Sequence, residues 1–105
     1  MKVDILAFGA HPDDVELGCG GTIAKSVSKG KKVGIIDLTR GELGTRGNKD
    51  IRKKEAEEAG KILGVKFRKN LFLDDGFIFN DRESQEKVIE VIRLYKPEIV
   101  LCNAI

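Results

Sequence analysis

The sequence predicts one α/β domain built on a parallel sheet, and three observations carry that reading. Short, nearly continuous apolar runs alternate with longer stretches of helical spacing, the pattern of βαβ units with right-handed crossovers. A chain of 105 residues that is 41% hydrophobic has material for a single core. Nineteen Lys+Arg against 17 Asp+Glu, a net charge of +2, suits a solvated surface without the basic excess of a nucleic-acid binder.

The elements follow in order. Val3–Gly9 is the first strand, apolar enough to be buried on both faces. A helix over about 16–29 carries Cys19, Ile23 and Val27 on one stripe, and Gly30 suits its C-terminal cap. Lys32–Leu38 is the second strand. A loop with Gly41, Gly44 and Gly47 runs from Thr39 to about Lys49. Asp50 would cap the next helix, with Ala56, Ala59, Ile62 and Leu63 facing inward, and Gly64 stops it. Val65–Leu73 is a third strand, unusually polar at Lys66, Arg68, Lys69 and Asn70. Asp74-Asp75-Gly76 is turn chemistry. Asn80 or Asp81 caps the last helix, in which Val88, Val91, Ile92 and Tyr95 form the inward stripe before Pro97 ends it. Glu98–Ala104 is the fourth strand.

Parallel strands need cover on both faces, and no residues remain after the fourth for a last crossover helix. The expectation is therefore that residues 1–105 are the N-terminal part of a single longer domain, truncated after the fourth strand. Uncovered sheet would also favour self-association, so a homo-oligomer is possible. The longest apolar runs, such as Ile99–Cys102, fall far short of the roughly 20 residues that cross a bilayer. Asp4 interrupts any export signal at the start, and Cys19 and Cys102 make no disulfide framework. A cytoplasmic protein with neither membrane nor nucleic-acid partner is expected.

The chemistry sits in Gly9-Ala-His-Pro-Asp-Asp-Val-Glu-Leu-Gly-Cys-Gly-Gly21, where the first strand ends. Ligand sites of open parallel sheets lie beyond the carboxyl ends of the strands. His11, the chain's one histidine, and Asp14 are three positions apart across a turn stiffened by Pro12. An imidazole and a carboxylate at that spacing can both face a metal ion, as in catalytic zinc sites. Asp13 is then free to act as a base. Glu16 falls in the first helical turn, where negative charge is favourable. Gly18, Gly20 and Gly21 suggest close backbone packing against the sheet or a ligand. The plainer alternative is a strand-end turn with an Asx cap. Nucleotide motifs fail: Ile23 stands where G-x-G-x-x-G needs its third glycine, and no G-x-x-x-x-G-K-[ST] exists. Asp75, at another strand's carboxyl end, is a candidate for the pocket lining. Arg40 or Arg46 with backbone N–H groups of the Gly41–Gly47 loop could hold an anionic group. Cys19 and Cys102 read as small core residues.

Ala10-His11-Pro12-Asp13-Asp14, with Glu16 and the glycine-rich Gly18–Gly21, resembles the signature of the LmbE-like, PIG-L-type zinc-dependent de-N-acetylases. Thr39-Arg-Gly-Glu-Leu-Gly-Thr-Arg-Gly47, with Arg52 and Glu55, is similar to the branch that deacetylates N-acetylglucosaminyl malate in bacillithiol biosynthesis. The resemblance implies a Rossmann-like sheet with the fourth strand beside the first. It implies His11 and Asp14 as zinc ligands and Asp13 as general base; affinity order and metal availability leave Fe2+ open as another ion. It assigns Glu42 and Arg52 to an amino-sugar substrate. The family's third ligand is a histidine just after the fourth strand, accompanied by an oxyanion-stabilising histidine; neither is in this chain. The 105 residues alone are expected to be inactive.

A receiver-like phosphoacceptor domain is the competing reading. It would use Asp13 and Asp14 with Asp74 or Asp75 to hold magnesium, but it leaves His11-Pro12 and the glycines without a purpose.

Overall fold

The computed structural model describes residues 2–11, 14–39, 49–73 and 82–102. Seven elements alternate along the chain: β1 (Ile5–Gly9), α1 (Asp14–Ser28), β2 (Val33–Asp37), α2 (Lys49–Leu63), β3 (Phe67–Asn70), α3 (Arg82–Tyr95) and β4 (Ile99–Leu101). The strands form one parallel sheet in the order β3-β2-β1-β4. Ile5 of β1 stands opposite Val33 on one side and Ile99 on the other.

This order separates the two readings of the sequence. Receiver domains place β1 between β2 and β3, in the order 2-1-3-4-5, whereas here β1 lies between β2 and β4. The phosphoacceptor reading is therefore withdrawn. The observed order is that of the first four strands of the other doubly wound type. Its direction reverses between β1 and β4, and that is where ligand clefts open.

All residues of β1 and β2 are buried, as their continuous apolar runs require. Alternate residues feed two cores. On one face Ile5, Ala7, Val33 and Ile35 pack with Val15 and Ile23 of α1, joined by Cys19, Val27 and Leu63. On the other, Val3, Leu6, Phe8 and Ile36 pack with Tyr95, Val88, Val91 and Ile92 of α3. Helices thus cover both faces, α1 and α2 on one side and α3 on the other. Gly30 and Gly64 end α1 and α2 in the left-handed region, at φ 85° and 77°. Lys31 N–H reaches Ser26 O and Val65 N–H reaches Gly60 O, so both ends close as Schellman caps.

Several expectations need correction. α2 already contains Asp50, so that residue is not its cap. Ile62, expected inward, is 85% exposed. Leu63 supplies the contact instead, and adjacent helical positions cannot both face one core. Strand β3 is shorter than Val65–Leu73, although Leu71 and Leu73 still donate to Asp37 O and Leu38 O of β2's extension. Strand β4 spans three residues, and Ile99 and Val100 are exposed on this edge strand. Cys102 is exposed, not a core residue. Gly34 has a purpose that patterning did not show: a Cβ there would collide with the ring of Phe67. Asn80, Asp81 and the Asp74–Gly76 turn lie outside the described residues. Among the described residues no helix is long and apolar enough to cross a membrane.

Candidate functional site

The peptide leading out of β1 is braced by its neighbours. The ladder between β1 and β2 outlasts the strands: Leu38 N–H donates to Gly9 O and Thr39 N–H to Ala10 O, at 2.8 and 3.0 Å. The buried Thr39 hydroxyl donates to the same Ala10 oxygen at 2.9 Å, and the Asn70 amide donates to Thr39 O at 2.6 Å. Three strands together fix the backbone immediately before His11.

The next bend closes on itself. His11 N–H donates to Asp14 Oδ2 at 3.0 Å, and Asp14 N–H donates to His11 O at 3.1 Å. An acid accepting from the residue three before it is the reciprocal geometry of a capping box. This bond differs from the Asx cap of the plainer reading, in which the acid accepts from N–H groups that follow it. The closed bend also brings His11 Nδ1 to 3.4 Å from Asp14 Oδ2. The two side chains keep 43% and 25% of their surface exposed.

This pair can be tested against a metal ion by distance alone. Two ligands about 2.0–2.1 Å from one tetrahedral ion lie about 3.3 Å apart. The observed separation fits without rearrangement. A nitrogen and a carboxylate oxygen also suit zinc and Fe2+ in donor type. Among the described residues no group of three His, Cys, Asp or Glu side chains could hold an ion, so the described site supplies two donors.

Beside the pair, between the carboxyl ends of β1 and β4, opens a cleft of about 310 Å³. Phe8, Asp14, Gly18, Cys19, Leu101 and Cys102 line it. Of the two uses expected for the glycines, packing against the sheet is not seen at Gly18 or Gly21, where a Cβ would meet nothing within 4 Å. Gly18 instead keeps the wall of the cleft bare. The helical dihedrals break at Cys19, with φ −145° and ψ 21°, so the first turn of α1 is set off from the rest of the helix. Burial, and after it the charge of Glu16, pushes the Cys19 thiol up from its ordinary value.

On the far side of that turn lies a charge cluster that the sequence pattern does not reveal. Arg68 of β3 is almost wholly buried, with 6% of its side chain exposed. Its Nε donates to Asp37 Oδ2 at 2.7 Å and its Nη2 to Asp37 Oδ1 at 2.9 Å, a bidentate pair. Nη2 also donates to Glu16 Oε1 at 2.9 Å, and Nη1 to Ala56 O at 3.2 Å. Burial alone would lower the Arg68 pKa. Hydrogen bonds and charge from Asp37 and Glu16 outweigh it, and the guanidinium is held above its already high ordinary value. Burial raises the Asp37 carboxyl, Arg68 pulls it back in part, and Glu16 and Asp14 add repulsion. An acid at the end of an apolar strand and an arginine inside a short strand were the available signals. Glu16 shows in sequence only its favourable place near the helix dipole.

Of the other candidates, Asp13, Glu42 and Asp75 lie outside the described residues, as do Arg40 and Arg46. Arg52 is in the backbone of α2, and its side chain lies outside the described set.

A doubly wound α/β domain with an imidazole–carboxylate pair at its switch point is the class that fold and site define. Residues 6–104 match the PIG-L family, described as GlcNAc-PI de-N-acetylase, and the chain belongs to that family. It is 36% identical over 104 residues to a diacetylchitobiose deacetylase of Thermococcus kodakarensis, covering 92% of this chain and 39% of that protein. The structure resembles a conserved protein of Thermus thermophilus with TM-score 0.88 and 45% identity, over 93% of this chain and 44% of that one. It also resembles GalB, the 4-carboxy-2-hydroxymuconate hydratase of Pseudomonas putida, with TM-score 0.83 and 28% identity, over 95% of this chain and 46% of that one. The chain thus spans less than half the length of these relatives.

Proposed function

We propose that this chain forms the metal-holding and proton-transferring part of a hydrolase that removes acetyl from an N-acetylated amino sugar. One observation carries the reading: a nitrogen and an oxygen donor stand at tetrahedral spacing beside the switch-point cleft. Membership of a de-N-acetylase family and likeness to a diacetylchitobiose deacetylase support the substrate class.

In this reading His11 and Asp14 hold zinc, or Fe2+ in its place, and a third donor comes from outside the described residues. The ion supplies Lewis acidity to the acetamide carbonyl and to the attacking water. Asp13 takes the proton of that water and returns it to the leaving nitrogen, giving acetate and a free amine. Glu42, Arg52 and Asp75 bind the sugar or its attached group. The finer assignment is N-acetylglucosaminyl malate, on the route to bacillithiol, and rests on the Thr39–Gly47 segment. The unpaired thiols of Cys19 and Cys102 suit a reducing, cytoplasmic setting.

The likeness to GalB favours one second reading, hydration of an unsaturated acid at the same pair. Incubating the full-length protein with N-acetylglucosaminyl malate, diacetylchitobiose and a 2-hydroxymuconate separates the two. Acetate release that is lost on chelation is expected. Loss of muconate absorbance without acetate from either sugar would overturn the hydrolase reading.

A further inference from the structure

Asp14 and Glu16 stand two residues apart in the first turn of α1. At about 100° per residue their side chains leave the helix on nearly opposite sides. Asp14 turns to the cleft beside β1 and β4, whereas Glu16 turns to Arg68 on β3. We infer that Arg68 is a positioning residue for the metal pair: by holding Glu16 it fixes the rotation of this turn, and with it the spacing of Asp14 from His11. The inference rests on the metal reading proposed above.

Two further restraints act on the turn, the His11–Asp14 bonds that close it at its start and the packing of Val15. Val15 is its one described apolar anchor, 3% exposed. Gly18 and Gly21 meet no neighbour that a side chain could use. The helical path breaks at Cys19, so the well-packed part of α1 around Ile23 does not transmit its orientation forward. Arg68, in contrast, is rigidly seated. Asp37 grips it through two parallel bonds, and Ala56 O of α2 takes a third N–H. One guanidinium therefore ties the first turn of α1 to β2, β3 and α2. Groups that hydrogen-bond a metal ligand commonly change metal affinity about 10–100-fold when removed, and Glu16 with Arg68, acting one step further out through the turn, takes the lower end of that range.

The test uses the full-length protein and Co2+ as probe, with affinity read from its visible absorption. Glu16→Ala should weaken Co2+ binding about tenfold and alter the band shape. Glu16→Gln keeps an oxygen that accepts from Arg68 and should stay close to the native affinity and spectrum. Because Arg68 variants are expected to be unstable, the inference is tested at Glu16, where the fold is kept. Native affinity in Glu16→Ala would overturn it. So would equal loss in Glu16→Gln and Glu16→Ala, since charge and not position would then be acting. If the native protein binds no Co2+, and Asp14→Ala changes nothing, the metal reading itself fails and takes the inference with it.

Discussion

Replacing Arg68 by Met tests the charge cluster most directly. Arg68 and Asp37 retain 6% and 3% of their side-chain surface, so the change strands a carboxylate away from water. Breaking a buried pair from one side costs about 3–5 kcal/mol. A domain of this size has about 5–15 kcal/mol in total, so the variant should be folded only marginally. Each kcal/mol is about 4–8 °C in Tm for a domain near 100 residues, so the midpoint should fall by at least about 12 °C. The double variant Arg68→Met, Asp37→Leu removes both charges and should recover most of the loss, because desolvation no longer has to be offset. Acidity supplies an internal control. With Arg68 gone, nothing opposes the upward push of burial on Asp37. A group with a raised folded pKa stabilises most when protonated, so the deficit should shrink as pH falls through that raised value. Urea unfolding followed by circular dichroism at pH 7 and pH 5 measures each quantity. A loss under about 1 kcal/mol, or a deficit that grows on acidification, would refute the reasoning.

Four further outcomes are expected. Gly34→Ala drives a methyl group into the Phe67 ring, which is stacked on Tyr95 at 4.1 Å. Overpacking of about 1–3 kcal/mol plus lost stacking of about 0.5–1.5 kcal/mol should lower thermal stability, and Phe67→Leu in the same background should restore part of it. In alkylation followed by mass spectrometry, exposed Cys102 should react before Cys19, whose thiol burial and Glu16 hold above its ordinary pKa. Asp13→Asn in the full-length protein should keep metal binding and lower deacetylation by about 100-fold or more; unchanged turnover would remove Asp13 from the mechanism. Calorimetry of the 105-residue chain should show weak zinc binding, as two described donors imply, and tight one-to-one binding would contradict that.

The sheet was legible because its central strands are apolar without interruption. Val33, Ile35 and Ile36 could only be a strand buried on both faces. Helix stripes were legible where they were wide, as at Val88, Val91, Ile92 and Tyr95. Ile62 was misjudged because α2 has a narrow stripe, and pattern alone cannot choose between adjacent apolar residues there. His11 and Asp14 were readable as a local pair, since three residues of sequence separate them. Arg68, Asp37 and Glu16 were not. Their bonds span 31 and 52 residues of sequence, and only the strand order brings them together. In sequence Arg68 only made the third strand unusually polar; in the fold it is what that strand carries inward.

The placement of this cluster follows from what the cleft demands. A ligand site needs one side of the first turn of α1 left open, and Gly18 leaves it open. Apolar packing on that side would fill the cleft. Beyond the His11–Asp14 bonds, restraint comes from the opposite side, where Glu16 meets Arg68 of β3. An apolar contact there could slide along the helix axis, whereas a guanidinium seated on Asp37 by two parallel bonds offers Glu16 one N–H donor at a fixed place. A buried ion pair is a poor source of stability, often no better than the hydrophobic residues that could replace it. Its presence behind the His11–Asp14 pair is accounted for by the positioning role inferred above, and the Arg68→Met, Asp37→Leu variant separates that role from stability. It should recover stability without recovering the native Co2+ affinity, since Glu16 would still have no partner to hold the turn.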